Sequence, residues 1–488
     1  MKMYPWFLNN CGLPLVSVFT GSRFFSLYGS FVNHPERLFC PAPEKRLADL
    51  RGLLQHCYDT VPFYRERFNA VGFLPKDLND LNDLQRLPTL KKSEIEKNFP
   101  DRILSSRRNL TPWRYRSTTG TIERLTVVHD SRKRDLARAL QLFSLYSTSG
   151  YIPGMKYMEI PPDVCRNVCG EAGTIESTSL WNVLKNLTAP SEAISDLRGM
   201  VERQCVYRQK LLPSLSAIGM QRTREIDDCL KAIDEYRPSV LKALPAYLYV
   251  LAVHILDRRL KAPRIGRCIL PMGASMSPSM KRVVELAFDC RVHEDYGSAE
   301  LTSIATECRH QNALHPFAAF FHIEVVCGSR PANPGEMGRI LITDLSNYAM
   351  PLVRYEIGDV GRFNESSCPC GIGGPRLEVS GRLKDCLQTG DGSLISQDEI
   401  VDTLLADPAV LLFQLEQRST AEAFLEVVPR HSHTPDLEAT QRKVERLLGG
   451  NSRVRARLVL YIKPEPGGKY RFVKNLLPQS IGALGAAC

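Results

Sequence analysis

The chain has 488 residues, 43% of them hydrophobic and 24% charged, and a formal net charge of +10. That is too long for one ordinary core and points to two or more domains. The basic residues are spread along the chain, with no basic tail and no basic block interleaved with aromatics, which sets nucleic acid aside as a partner. No apolar run reaches the roughly 18 residues that a membrane-spanning helix needs.

Taken in order, the stretch "CGLPLVSVF" at 11–19 is too short to span and reads as a packed N-terminal segment. The first hundred residues read as helical, with one helix over "EKRLADLRGLLQHCYDTV". Next comes "YRSTTGTIERLTVVHD" at 115–130, where Ser117, Thr118, Thr119 and Thr121 surround Gly120 before a β-prone run. Small hydroxyls and backbone N–H groups around a glycine can cradle phosphate oxygens. The stretch is not the G-x-x-x-x-G-K-[ST] loop of ATPases, and taken alone it reads as a polar turn before a strand.

From about residue 125 onward, β-type runs alternate with amphipathic helices, which predicts α/β architecture. In "MSPSMKRVVELAFDCRVHEDYG", Ser277 can cap a helix and Pro278 suits its first position. Met280, Val283, Val284 and Ala287 then make one apolar face. The strand that follows runs into "EDYGSAEL", with Tyr296, Gly297, Ser298 and Glu300 at a strand end, where α/β folds bind ligands. In "GRILITDLSNYAMPLVRYEIGDVGRF" a strand and a loop lead to Arg354, Tyr355 and Asp359, and a carboxylate at 359 suits a pair of ribose hydroxyls.

The 15 cysteines are too scattered for a small disulfide framework, and the expected compartment is a reducing cytoplasm. Four candidate ligands nevertheless gather in two short stretches. "ECRHQNALH" offers Cys308 and His315, and "CPCG" offers Cys368 and Cys370. Three thiolates and an imidazole can make a closed tetrahedral zinc site of structural type, with His310 the weaker candidate for the fourth place.

After "GRLKD", with Arg382, Lys384 and Asp385, the texture changes. Ser396 and Glu399 have the spacing of a capping box. Two strands follow, then a helix opened by Thr434 and Pro435, then the strand "RVRARLVLYI". This reads as a small α+β unit of about a hundred residues. The expected division is 1–381 for a large unit with a helical part at 1–110, 382–385 for a hinge, and 386–488 for the small unit.

The order of these stretches, a hydroxyl–glycine loop, "YGSAE", "RYEIGD" and "GRLKD", resembles the adenylate-forming superfamily. More closely, "CYDTVPFYRERF" and the "ITDL…MPLVRYEIGDVGRF…CPCG…GRLKD" block resemble the phenylacetate–coenzyme A ligase branch with its capsule-biosynthesis relatives. The resemblance covers the chain from about residue 40 to the C-terminal region. It implies a large domain of mixed β-sheets and helices and a small hinged α+β C-terminal domain. It also implies an enzyme that activates a carboxylic acid, of aromatic type, with ATP and Mg²⁺ and then forms a thioester with coenzyme A.

By position, Ser117, Thr118, Thr119, Gly120 and Thr121 would contact phosphate. Tyr296 would lie against adenine, with Gly297 and Ser298 beside it. Glu300 would hold Mg²⁺, Asp359 the ribose hydroxyls, and Arg382 the phosphate or ribose. Lys384 and Asp385 would form the pivot, and "PGGKYRFVKN" places Lys469 as the catalytic cation. A homodimer counts among the expected partners, and a membrane does not. Ser117, Ile122 and Ala299 depart from the family's usual glycine, proline and threonine. They motivate two rival readings: transfer to a carrier protein or an amine, and a nucleotide-binding relative that has lost turnover.

Overall fold

The computed structural model describes residues 3–14, 22–107, 113–117, 125–162, 202–215, 223–311, 313–431, 433–450, 452–465 and 469–477. The helix expected in the first hundred residues runs over Pro43–Thr60, with Pro43 in its first turn and Leu50, Leu53, Leu54 and Cys57 buried on one face. A second helix, Pro62–Ala70, follows at once. This N-terminal part is tied to the rest by a short parallel bridge between Leu90 and Tyr355.

Strands β1 (Trp113–Ser117) and β2 (Thr126–Asp130) pair antiparallel. Asp130 then caps the 19-residue helix Ser131–Ser149 by accepting from Lys133 N. A parallel sheet comes next: β3 (Tyr157–Ile160), β4 (Gln209–Leu211), β5 (Val240–Ala243) and β6 (Cys268–Pro271), in the order β4-β3-β5-β6. Apolar helices such as Pro245–Asp257 cover it, and its inner strands are buried apart from Glu159 and Lys242, which are half-buried. Helix Pro278–Phe288 starts as expected, with Ser277 Oγ accepting from Met280 N.

The largest sheet has eight strands: β7 (Asp295–Ser298), β8 (Thr302–Glu307), β9 (Leu314–Pro316), β10 (Phe321–Cys327), β11 (Arg330–Pro331), β12 (Gly338–Asp344), β13 (Tyr355–Asn364) and β14 (Arg376–Arg382). Their order is β11-β10-β12-β13-β14-β9-β8-β7. Two glycines shape the end of this sheet that matters later. A Cβ on Gly297 would stand 2.2 Å from Thr302 O, so the tight β7–β8 turn admits only glycine there. A Cβ on Gly361 would stand 2.3 Å from Glu378 O, beside an irregularity in the β13–β14 ladder between Asp359 and Gly361. Such a bulge re-aims the side chain next to it.

Beyond a two-stranded ribbon, β15 (Leu387–Gln388) and β16 (Leu394–Ile395), the C-terminal part is a four-stranded sheet with two helices. It consists of β17 (Val410–Ser419), β18 (Glu422–Pro429), β19 (Arg453–Leu458) and β20 (Val473–Asn475), ordered β19-β18-β17-β20. Three local expectations need correction. Ser396 caps helix Gln397–Leu405 by accepting from Glu399 N, but among the described residues the return bond of a full capping box is absent. The next helix is Leu437–Leu447, opened by Asp436 rather than Thr434, because the Asp436 carboxylate takes the N–H of Ala439. The last long strand stops at Leu458, and β20 was not foreseen because three residues carry no readable period.

One apolar cluster runs from the parallel sheet into the C-terminal sheet, including Leu241, Ile269, Val284, Leu404 and Leu412. Polar contacts reinforce the junction: Ser279 N donates to Asp402 Oδ1 at 3.1 Å, and Arg430 Nε to Asp257 Oδ2 at 2.8 Å. Among the described residues no helix is long and apolar enough to cross a membrane.

Candidate active site

At the end of the eight-stranded sheet, residues from five distant stretches of chain converge. Tyr296 on β7 donates its hydroxyl to Asp359 Oδ2 on β13 at 2.8 Å. The other oxygen of Asp359 lies 3.5 Å from Arg382 Nε, and the two residues are register partners across β13 and β14. Burial raises the Asp359 pKa, and the Arg382 charge works against that rise. Arg382 therefore keeps a usable anion in a place that disfavours charge.

Glu300 sits just past the β7–β8 turn and is 7% exposed. Its Oε1 accepts from Tyr355 Oη at 3.0 Å, and its carbonyl accepts from His129 Nε2 at 2.7 Å. Side chain and backbone are thus pinned separately, by β13 and by β2. No described residue takes the second carboxylate oxygen, which is open to a cation.

Lys469 reaches this place from the C-terminal part, where its Nζ donates to Gly273 O at 3.1 Å. Burial lowers its pKa, the charges of Arg382 and Lys384 lower it further, and Glu300 and Asp359 oppose them. Lys384, in the single turn Leu383–Asp385, is lowered by burial and then by Arg382 and Arg471. Four cations, Arg382, Lys384, Lys469 and Arg471, and three carboxylates, Glu300, Asp359 and Asp385, thus share one electrostatic neighbourhood. An excess of positive charge fixed beside a buried carboxylate suits a polyanion that carries a cation.

Of the other residues singled out in the sequence, Ser298 turns inward and accepts from Leu301 N at 3.1 Å, stabilising the turn that presents Glu300. Ser117 ends β1, paired with Thr126. Its side chain and residues Thr118, Thr119, Gly120 and Thr121 lie outside the described residues. Arg354 faces away, locked to Glu324 at 2.9 Å and to the carbonyl of Gln85 at 3.1 Å. Sequence reasoning gave no role to His129, Tyr355 or Arg471. Arg471 binds the Asp385 carboxylate and so ties the segment carrying Lys469 to the Leu383–Asp385 turn. Only its place two residues from Lys469 could have drawn attention to it.

The four candidate metal ligands also come together, in a separate place between β9 and the loop before β14. Cys308 Sγ lies 3.6 Å from Cys368 Sγ, and Cys370 Sγ lies 3.5 Å from His315 Nε2. All four ligand atoms are within 4.8 Å of one another. A tetrahedron with metal–sulfur bonds of about 2.3 Å has edges of roughly 3.5–3.8 Å, so the Cys308–Cys368 and Cys370–His315 separations match two edges of a zinc site. Backbone N–H groups of His310 and Ile372 point at Cys308 Sγ and Cys370 Sγ, each at 3.4 Å, as donors to thiolates do. Burial pushes His315 down to about 4, which leaves it a neutral ligand at pH 7. The His310 ring lies outside the cluster, against Arg309.

The chain is 24% identical over 369 residues to a phenylacetate–coenzyme A ligase of Thermus thermophilus, a match covering 74% of this chain and 75% of that one. It is 20% identical over 421 residues to the CapK protein of Staphylococcus aureus, covering 85% and 84%. A crystal structure of a 2-hydroxyisobutyryl-CoA ligase in the postadenylation state superposes with a TM-score of 0.68 at 20% identity, over 90% of this chain and 91% of that one. Over about three quarters of its length the chain is similar to a phenylacetate–coenzyme A ligase. It has the fold of the adenylate-forming ligases, with mixed sheets and helices. No family model matches it. In this fold the eight-stranded sheet and the C-terminal part meet where Glu300, Asp359 and Lys469 converge.

Proposed function

We propose that the protein is an AMP-forming acid–thiol ligase. It joins a carboxylic acid to ATP as an acyl-adenylate with release of pyrophosphate, then passes the acyl group to the thiol of coenzyme A. The observation that carries this reading is the meeting of Lys469 with Glu300, Asp359 and Arg382.

A carboxylate is a poor electrophile, and linking it to AMP supplies a good leaving group. The attack brings a carboxylate oxygen against an already anionic α-phosphate. Lys469 meets the charge that develops there, held in place rather than recruited from solvent. Arg382 and Lys384 stand behind it for the phosphate chain. Asp359 accepts the ribose hydroxyls, and Tyr296, whose hydroxyl it now holds, presents its ring to the base. Magnesium would supply positive charge to the triphosphate, and Glu300, fixed by Tyr355 and His129, is the residue that would hold it. Segment 117–121 completes the phosphate cradle in this reading.

The turn Leu383–Asp385 would serve as the pivot between a large unit ending at 381 and a small one from 386. Rotation there would remove Lys469 after adenylation and admit the thiol, a hinge motion. Cys308, His315, Cys368 and Cys370 would hold a structural zinc ion that joins two loops, with no open position for chemistry. The cytoplasm, where these thiols stay reduced, is the compartment that fits.

The test is acid-dependent pyrophosphate release from ATP and Mg²⁺. Aryl acids come first, because the Thermus relative is named for phenylacetate. Release with one class of acid, lost in Lys469→Ala and Glu300→Ala, supports the reading. Exchange of pyrophosphate without product on coenzyme A would redirect it to another acceptor. ATP binding without release for any acid would overturn it.

A further inference from the structure

A second cavity, of 330 Å³, lies between the N-terminal segment and the eight-stranded sheet; it shares no lining residue with the carboxylate site around Glu300 and Asp359, and His315 of the Cys/His cluster forms part of its wall. Its walls are mostly apolar, with Phe39, Phe321, Ile323 and Phe363 among them, and its one charged lining residue is Arg46. Nη2 of Arg46 bonds to His322 Nδ1 at 2.8 Å. Its Nε is buried and bonds to nothing in the described structure. No carboxylate pairs with Arg46 among the described residues. The contrast is local: Arg354, from the same sheet, has Glu324 at 2.9 Å.

His322 cannot supply the missing charge. Burial and the neighbouring Arg46 hold it neutral at pH 7, so its Nδ1 acts as an acceptor only. A guanidinium placed in an apolar wall without a counter-ion costs free energy. Its Nη1, which bonds to no described residue, and the second N–H of Nη2 match the two oxygens of a carboxylate, and the aromatic walls match a hydrocarbon body.

We propose that this cavity binds a small organic anion: a carboxylate on Arg46, with its aryl or branched alkyl body between Phe39, Phe321 and Phe363. The inference stands apart from the ligase reading, because the cavity is separate from the site that would activate an acid.

Cys40 makes the test specific. It is exposed and also lines the cavity, with its Sγ packed against the Gly373–Gly374 backbone. A ligand that fills the cavity covers this thiol. Benzoate is titrated against the full-length protein while alkylation of Cys40 by N-ethylmaleimide is followed by peptide mass spectrometry. Cys290, which does not line the cavity, is the internal control. Benzyl alcohol is the uncharged comparison. Benzoate is expected to slow labelling of Cys40 saturably, by about tenfold at ten times its dissociation constant, and to leave Cys290 unchanged. Benzyl alcohol should protect much less, Arg46→Met should abolish protection by benzoate, and Arg46→Lys should retain part of it. Equal labelling of Cys40 with and without benzoate overturns the proposal. So does protection that persists in a folded Arg46→Met variant or that benzyl alcohol matches.

Discussion

The hydroxyl of Tyr355 donates to Oε1 of Glu300 at 3.0 Å, and both residues are buried. The bond fixes one carboxylate oxygen and leaves the other for a cation. In Tyr355→Phe that constraint is lost while the ring is kept. The Mg²⁺ concentration for half-maximal pyrophosphate release should rise about tenfold, as expected for one hydrogen bond to a charged group. A variant with wild-type metal dependence would separate Tyr355 from metal binding.

Lys469→Ala should lower the adenylation rate by about 10²–10³-fold, the usual scale for removing one preorganised charge. Thioester formation from supplied acyl-adenylate should be retained. Burial and the Arg382 and Lys384 charges lower the Lys469 pKa. The ammonium form exists below that pKa, so adenylation should decline on the alkaline side sooner than for an ordinary lysine. Lys384→Gln removes one of the depressing charges and should shift that decline to higher pH. Rate profiles of the separate half-reactions check this.

One zinc ion per chain is expected by elemental analysis of protein purified without chelator. Cys370→Ser and His315→Ala should each lose it and lower the melting temperature. Adenylation measured well below that temperature should change little, because the cluster lies apart from the carboxylates.

Lys133 and Asp344 form an ion pair at 2.7 Å, with both side chains fully buried. The Lys133 ammonium also bonds to Ser346 Oγ at 2.9 Å and stands 4.7 Å from the centre of the Phe321 ring. Lys133→Ala strands a buried carboxylate and should cost about 3–5 kcal/mol. Lys133→Met with Asp344→Asn should recover much of that loss in denaturant unfolding.

His322 should make the protein acid-sensitive. Burial, then the Arg46 and Arg354 charges, push it down to about 3, from about 6.5 when unfolded. Between these values the unfolded chain binds the extra proton, so stability falls as pH drops through that window and is unaffected above it. His322→Gln should flatten the pH dependence of unfolding there.

Much of the fold was legible because its signals are local. Ser277 and Pro278 announce a helix start, and the alternation after residue 125 announces α/β architecture. The ordered motifs foretold that Glu300, Asp359, Arg382 and Lys469 would meet. What stayed hidden was long-range pairing. His129 bonds a carbonyl 171 residues away, and Arg471 a carboxylate 86 residues away. Neither has a period or spacing to read. The Cys/His cluster was legible as ligand types in two stretches, but its separations, which decide the fit to a metal, come from the register of β9 against β14.

A hinge needs a post that does not yield. β14 runs from the loop carrying Cys368 and Cys370 straight to Arg382, and the turn proposed as the pivot begins at the next residue. Its seven residues span about 23 Å. At its far end the thiol cluster clamps the strand to β9, and along its length β13 holds it. In the proposed rotation the strand acts as a strut. Torque from the moving C-terminal part is resisted far from the chemistry, so loosening the clamp would blur where the swing begins and ends before it altered any residue that touches substrate.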